Sequence, residues 1–446
     1  MKNIRGASIL AIAVGACLAT PVSAQDSGSE AVARELAAMR AEMARMAERI
    51  DTLEGELAEA EARAAEPASE AEDDGVKVSW KGAPEIEGEG GWSFKPRGRL
   101  QIDAGAIDAP SSAGADDGFG SEIRRARLGV EGDIPGGFGY KFEVDFAGNE
   151  VEVADAIATY GDGGLTLTAG QHNGFQGLEE LTSSRFISTM ERAAFTDAFG
   201  FERRVGLSAQ YAAEAWLVQG GIFTDNIDAL SNENWSVDGR AVFMPRLGET
   251  RLHFGGSIHY ADYEGGTELR YRQRPFVHFT DERFIDTGSF AAASEFGMGV
   301  EAAAIAGPFH AVAEGFWQKA DRPGALADPT FFGGYAEVGM FLTGGDTRGY
   351  KEGTFDRVKP ANPVGEGGFG AVQMNLRYDY LDLVETGLTG GTQNAYAVSL
   401  VWTPTDYTRL MMNYARLQYD DAAVAAADGS RSYGVDAFGV RAQIDF

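Results

Sequence analysis

From about Arg97 to Phe446 the chain alternates polar and apolar residues with a period of two, in one short segment after another. Arg97-Gly-Arg99-Leu100-Gln101-Ile102-Asp103 alternates in this way, and so does Arg125-Ala-Arg127-Leu128-Gly-Val130-Glu131. Tyr140-Lys141-Phe142-Glu143-Val144-Asp145-Phe146 repeats the pattern, as do Val372 to Tyr380, Tyr396 to Trp402 and the closing Phe438 to Phe446. Period two is the signature of a β-strand with unlike faces, one apolar and one wet. About sixteen such segments can be counted, each of ~9–13 residues, the even number and the length of strands that cross an outer membrane.

A soluble β-sandwich also alternates, but it uses fewer strands and a dry core. Here Tyr, Phe and Trp crowd the strand ends, and the polar faces are charged throughout. A closed barrel with lipid outside and water inside accounts for both, and in lipid only closure pairs every backbone group of a strand. The expected fold is an all-β transmembrane barrel of about 16 antiparallel strands over residues 94–446. No apolar run beyond the N-terminus reaches the ~18–20 residues of a spanning helix, which excludes helical channels and transporters. A formal charge of −29 argues against a nucleic-acid partner.

The N-terminus reads differently. Lys2 and Arg5 precede a short apolar stretch, and Val22-Ser23-Ala24 supplies a small-x-small cleavage pattern, so residues 1–24 are expected to be a signal peptide. The only cysteine, Cys17, would leave with it. Val32, Leu36, Met39, Met43, Met46, Ile50, Leu53, Leu57, Ala60 and Ala64 then follow at alternating spacings of four and three, an a/d seam. Residues 25–66 are therefore expected to be a periplasmic coiled-coil stem, or else an amphipathic helix lying on its own barrel. Residues 67–93 read as an acidic linker.

If the apolar face meets lipid, the lumen receives Arg99, Arg125, Arg127, Lys141, Arg204, Arg240, Arg251, Arg377, Arg409 and Arg441. It also receives Asp103, Glu131, Glu143, Asp145, Asp155, Asp238, Asp379 and Asp445. Such a set serves either as cross-strand ion pairs that stiffen the wall or as an anion path. Roughly thirty residues between His172 and Arg203 do not alternate, and loops of that length are usually functional. They hold Leu178, Leu181, Phe186, Ile187, Met190 and Phe195, enough apolar surface to order them inside the barrel as a constriction. Its charged residues are Glu179, Glu180, Arg185, Glu191 and Arg192. A second long segment, Thr267 to Gly288, carries Arg270, Arg272, Arg274 and Arg283 and is expected to cap the mouth. The five His residues are scattered without ligand spacing, and no nucleophile–base or nucleotide motif stands out. The expectation is no enzyme and no cofactor.

Several stretches resemble the phosphate-selective porins (porins O and P): Arg124-Arg-Ala-Arg-Leu-Gly-Val-Glu-Gly132, Gly170-Gln171, Gly177-Leu-Glu-Glu-Leu-Thr-Ser-Ser184 and Met190-Glu-Arg192. Leu269 to Pro275, Arg283 to Gly288, Tyr335-Ala-Glu337, Leu342-Thr-Gly344 with Tyr350, Arg377-Tyr-Asp379 and Gly387 to Asn394 extend the likeness to the C-terminus. The resemblance implies a sixteen-stranded outer-membrane barrel in a Gram-negative bacterium, usually a homotrimer, with the loop before Arg203 in the pore and phosphate or another small anion as solute. Three positions depart from the family. His172-Asn173-Gly174-Phe175 stands where Phe-Lys-x-Pro is common, Gly345 replaces a Glu, and Gln373 stands where Glu is frequent. These departures affect the solute more than the fold. A stem joined to a barrel also fits a tether between the outer membrane and the periplasm or cell wall.

Overall fold

The computed structural model describes residues 37, 39–52 and 55, and residues 76–446 except 116, 149, 231 and 232. The signal peptide, and Val32, Leu36, Leu53, Leu57, Ala60 and Ala64 of the seam, lie outside the described residues. Residues 39–52 are helical, and Met39, Met43, Met46 and Ile50 are all more than half exposed on that helix.

The remainder is a closed antiparallel barrel of sixteen strands. In chain order they are β1 Ser93–Asp108, β2 Gly118–Ile134, β3 Phe138–Asp145, β4 Glu152–Asp162, β5 Leu165–Asn173, β6 Arg203–Ala212, β7 Trp216–Phe223 and β8 Trp235–Phe243. Then come β9 Thr250–Asp262, β10 Ser294–Ala306, β11 Phe309–Asp321, β12 Thr330–Phe341, β13 Ala371–Glu385, β14 Leu388–Thr405, β15 Thr408–Asp420 and β16 Tyr433–Asp445. Each strand pairs with the next, and β16 returns to β1 with Gly439 opposite Gly105 and Asp445 opposite Arg99. No spanning strand is left with an unpaired edge.

Exposure follows the alternation. Leu410, Met412 and Tyr414 of β15 are open on the outside, while Arg409, Met411, Asn413 and Ala415 are buried within. Near the top of the strand the chemistry reverses: Leu417 and Tyr419 point inward and are buried, and Gln418 and Asp420 are outside. The same happens on β13, where Leu381 and Leu383 are fully buried. These inward apolar residues join Phe195, Phe199, Tyr271, Phe284, Phe290, Phe316 and Phe331 in an internal core. The lumen is thus not wet throughout, as the charged strand faces suggested. On this side it is filled by packed loops.

Three segments fill it. Residues 174–202 enter between β5 and β6 and carry the helical turns Leu178–Leu181 and Ala194–Ala198. Residues 263–293 enter between β9 and β10. Residues 342–370 come from the opposite rim, where the other connections are short; their hairpin, Gly349–Lys351 with Thr354–Asp356, reaches the inner wall. Tyr350 Oη lies 2.6 Å from His253 Nδ1, and Arg240 donates to the Gly353 carbonyl at 2.8 Å. Short turns mark the periplasmic end of such barrels, and both Ser93 and Phe446 lie there. Within the stretch read as an acidic linker, Lys77–Trp80 and Pro84–Glu87 form a hairpin that pairs onto the start of β1.

The closing seam depends on glycine. A Cβ on Gly105 would stand 2.1 Å from the Phe438 carbonyl oxygen, and the Phe279 ring covers the same spot. Gly105→Val is expected to cost about 1–3 kcal/mol through forced displacement at the seam. The check is the fraction of refolded protein that keeps its compact, heat-modifiable electrophoretic form, compared with Gly344→Val, where nothing lies within 4 Å and the backbone is not left-handed.

Candidate functional site: the channel beside the inner loop

Alternation sends Arg99, Arg127, Lys141, Glu143, Asp145 and Asp155 inward on β1 to β4. One irregularity adds to them. Gln101 pairs with Arg125 and Ile102 with Ile123, so Arg124 is an extra residue on β2. This β-bulge turns consecutive arginines, Arg124 and Arg125, toward the lumen. The inner loop faces them across a cavity of about 780 Å³. Eight Arg and one Lys line the cavity against nine Asp and Glu, so its formal charge is balanced although the chain as a whole is strongly acidic.

The pairing is uneven. Arg127 holds Asp145 at 2.7 Å and Glu143 at 3.1 Å. Asp155 is shared by Lys141 at 2.5 Å and Arg203 at 2.8 Å. Arg124 grips Glu191 with two bonds of 3.0 Å. By contrast, Arg125 donates only to Gln101 Oε1, at 2.8 Å, and has no carboxylate within 4 Å among the described residues. Arg99 donates to Ser184 Oγ at 2.7 Å, reaches Glu143 only at 3.7 Å, and keeps a buried Nε without a partner. Two guanidiniums on this wall therefore carry incompletely compensated charge.

The inner loop is also fixed by β11, β13, β15 and β16 and by residues 342–370. Glu314 on β11 accepts the Leu178 and Glu179 amides at 2.7 and 2.8 Å, where the first helical turn has orphan N–H groups. Arg377 on β13 bonds Glu337 at 3.0 Å and Glu179 at 3.3 Å. Arg441 on β16 binds Asp103 and Glu191, each at 2.7 Å, and donates to the Met190 carbonyl. Arg409 on β15 donates to the Arg185 and Ile187 carbonyls, and Arg348 to that of Phe186. Within the loop Arg192 clasps the carbonyls of Glu179, Glu180 and Thr182 at 2.9–3.0 Å.

Loop electrostatics follow from burial. Burial pulls the Arg185 guanidinium down to about 10, with Arg97 nearby adding to the effect. Burial raises Glu191, but Arg124 and Arg441 outweigh it and hold the carboxyl well below its ordinary range. Glu180 goes the other way: burial pushes it above the ordinary carboxylate range against the pull of Arg192.

Of the basic residues assigned to the lumen, Arg99, Arg125, Arg127 and Lys141 line this cavity. Arg377, Arg409 and Arg441 do point inward, but they are buried behind the loop they anchor. Arg240 is buried between Glu301 and the periplasmic hairpin, and Arg251 stacks on the hairpin's Tyr350. Arg204 lies against Glu202, and its neighbour Arg203 lines the cavity instead. Of the loop residues, Glu180, Arg185, Glu191 and Arg192 line the cavity and Glu179 turns away to Arg377. Sequence reasoning missed Arg124, Arg203, His172, Arg274 and His278 as lining residues. The doubled Arg124-Arg125 was the one available signal of a bulge.

A closed sixteen-stranded barrel with a lipid-compatible exterior and a polar, loop-narrowed interior defines an outer-membrane porin. The chain belongs to the phosphate-selective porin O and P family, whose model matches residues 94–446. An uncharacterized protein of Caulobacter vibrioides is 43% identical over 473 residues, covering 98% of this chain and 95% of its own. Among solved structures, the anion-selective porin of Comamonas acidovorans covers 80% of this chain and all of its own, at 12% identity and a TM-score of 0.51. OprB of Pseudomonas putida, in a high-pH structure, covers 80% and 95% at 13% identity, also with a TM-score of 0.51. At such identities these two structures show the fold.

Arg377→Met would leave Glu179 and Glu337 buried without their counter-charge, a loss of about 3–5 kcal/mol. The expected outcome is a lower midpoint of thermal unfolding together with noisier, larger single-channel conductance as the inner loop loosens. A quiet channel of unchanged conductance would show that the loop does not rely on this anchor.

Proposed function

We propose that the protein is a passive channel for small solutes with a modest preference for anions. The observation that carries this reading is the pair Arg99 and Arg125, cations on the cavity wall with at most a distant carboxylate. Arg127 and Lys141 lie beside them but share their charge with Asp145, Glu143 and Asp155. A solute anion entering the cavity would complete the coordination that the wall leaves open, while the paired residues keep the wall rigid. Phosphate is the solute of the family's name. In this chain nine acidic groups in the same cavity make a tight multivalent-anion filter a poor fit. Weak selection among small anions suits the lining better.

The reading includes a homotrimer in the outer membrane with the N-terminal stem in the periplasm. The exposed methionine and isoleucine seam of residues 39–52 supports self-association of the stem, because a seam so apolar gains by being covered. A stem that also touches the cell wall would add tethering to conduction.

Conduction is tested in planar bilayers under a salt gradient. The double variant Arg99→Gln/Arg125→Gln is expected to move the reversal potential toward cation preference at nearly unchanged conductance. An unmoved reversal potential would remove these arginines from the selectivity mechanism.

Glu180 supplies a pH dependence. Its raised carboxyl takes up a proton at a higher pH than an ordinary glutamate, so the cavity becomes more positive as pH falls toward the ordinary carboxylate range. Anion preference should therefore increase on acidification, beginning above the pH at which exposed carboxylates titrate. Glu180→Gln should show the increased preference already at neutral pH and lose that early part of the titration.

A further inference from the structure

The hairpin Lys77–Trp80/Pro84–Glu87 precedes the residues that match the porin family. Its register places Val78 opposite Ile86 and Trp80 opposite Pro84, and Ile86 opposite Phe94 of β1. Residues opposite one another in a sheet share a face, and so do residues two apart on one strand. Val78, Trp80, Ile86 and Phe94 therefore stand on one side. On β1, Phe94 shares its face with Leu100 and Ile102, both exposed on the outer wall of the barrel. The hairpin thus prolongs the outer, apolar face of the sheet. Its other face carries Lys77, Ser79, Glu85 and Glu87, with Lys77 and Glu87 3.9 Å apart.

The hairpin is held in place at the periplasmic rim. Gly82 in its turn lies so close to the Tyr407 ring that a Cβ would come within 2.4 Å, and Ala83 beside it is 2% exposed. Tyr407 belongs to the short turn between β14 and β15, so the hairpin fills the wall below β15 and β16. The Phe446 ring covers Gly98, four residues along β1 from Phe94. At ~3.3 Å per residue and a tilt of ~40°, Phe94 lies roughly 10 Å below that point, at the depth of the headgroup layer. There Trp80 is 74% exposed and Val78 64%. A contiguous apolar patch on a firmly docked element calls for an occupant.

We propose that this hairpin is a lipid-contacting skirt whose occupant is the phospholipid of the periplasmic leaflet. Continuity with the lipid-facing wall identifies the occupant, and Trp is the side chain that such an interface favours, with an apolar body and one N–H donor. The proposal rests on the barrel being in a membrane and not on which solute it passes.

The test uses the full chain with Cys17→Ser, reconstituted in phosphatidylethanolamine–phosphatidylglycerol vesicles. Single cysteines at Trp80→Cys and Ile86→Cys, and on the other face at Lys77→Cys and Glu87→Cys, carry a small fluorophore. Leu410→Cys on the barrel wall reports insertion. With the Leu410→Cys label quenched by brominated acyl chains, the labels at positions 80 and 86 should also lose fluorescence to brominated lipid and resist aqueous iodide, and those at 77 and 87 should do the reverse. Iodide quenching at 80 equal to that at 77 would overturn the proposal in favour of an exposed periplasmic surface. Shielding of 80 from both quenchers would overturn it in favour of cover by a second copy or by the preceding stem. Trp80→Phe, a variant that keeps the apolar face, should independently remove part of the lipid-quenchable tryptophan emission.

Discussion

A strand in lipid has nowhere to place its N–H and C=O groups except on another strand. Everything else in this protein depends on satisfying that demand by closure. The wall is complete only because β16 returns to β1, and at that seam Gly105 lets the two backbones approach where a side chain would strike the Phe438 carbonyl. Once the ring is closed, its inside is a separate compartment whose polarity can vary with depth and side. The outside must stay apolar across the membrane, whereas the inside may be charged near β1 to β4 and aromatic near the tops of β11 to β15.

That division explains how the arginines are used. An arginine presents five donors in a fixed fork and keeps its charge, so it can either attract a solute or hold a carboxylate and several carbonyls. Arg377, Arg409 and Arg441 do the second, each tied to the inner loop and two of them to buried carboxylates as well. Removing one would leave buried acceptors or anions without partners, which costs far more than the pair contributes. Arg99 and Arg125 are almost as deeply set, but they line the cavity with their charge incompletely paired, and that charge can act on whatever enters. One residue type on inward strand faces thus serves as loop anchor at some positions and as cavity lining at others. The difference is whether the guanidinium lines the cavity or is spent on the carbonyls and carboxylates of the loop behind which it is buried.

Much of this was legible in the chain. Period-two alternation, aromatic strand ends and the non-alternating interruption before Arg203 led to a sixteen-stranded barrel and an inner loop. The reversal of polarity at Leu417–Tyr419 is visible too, but two inward apolar residues on an otherwise polar face do not by themselves distinguish a packed core from a wet lumen. Arg124 was hidden because alternation alone puts it outside; only the bulge, a matter of pairing with β1, brings it in. The hairpin at Lys77 to Glu87 is four residues per strand, too short for periodicity to stand out against an acidic background. Residues 342–370 offered no sign that they enter from the periplasmic rim, because loop composition does not say to which side a loop folds.

The sequence by itself determined the class of architecture and the two faces of every strand, because those follow from local alternation and from the solvent each face must meet. Only the tertiary structure decided which inward charges remain available to a solute. That choice is made by loops packing across the lumen between residues more than a hundred positions apart, and no local pattern records it.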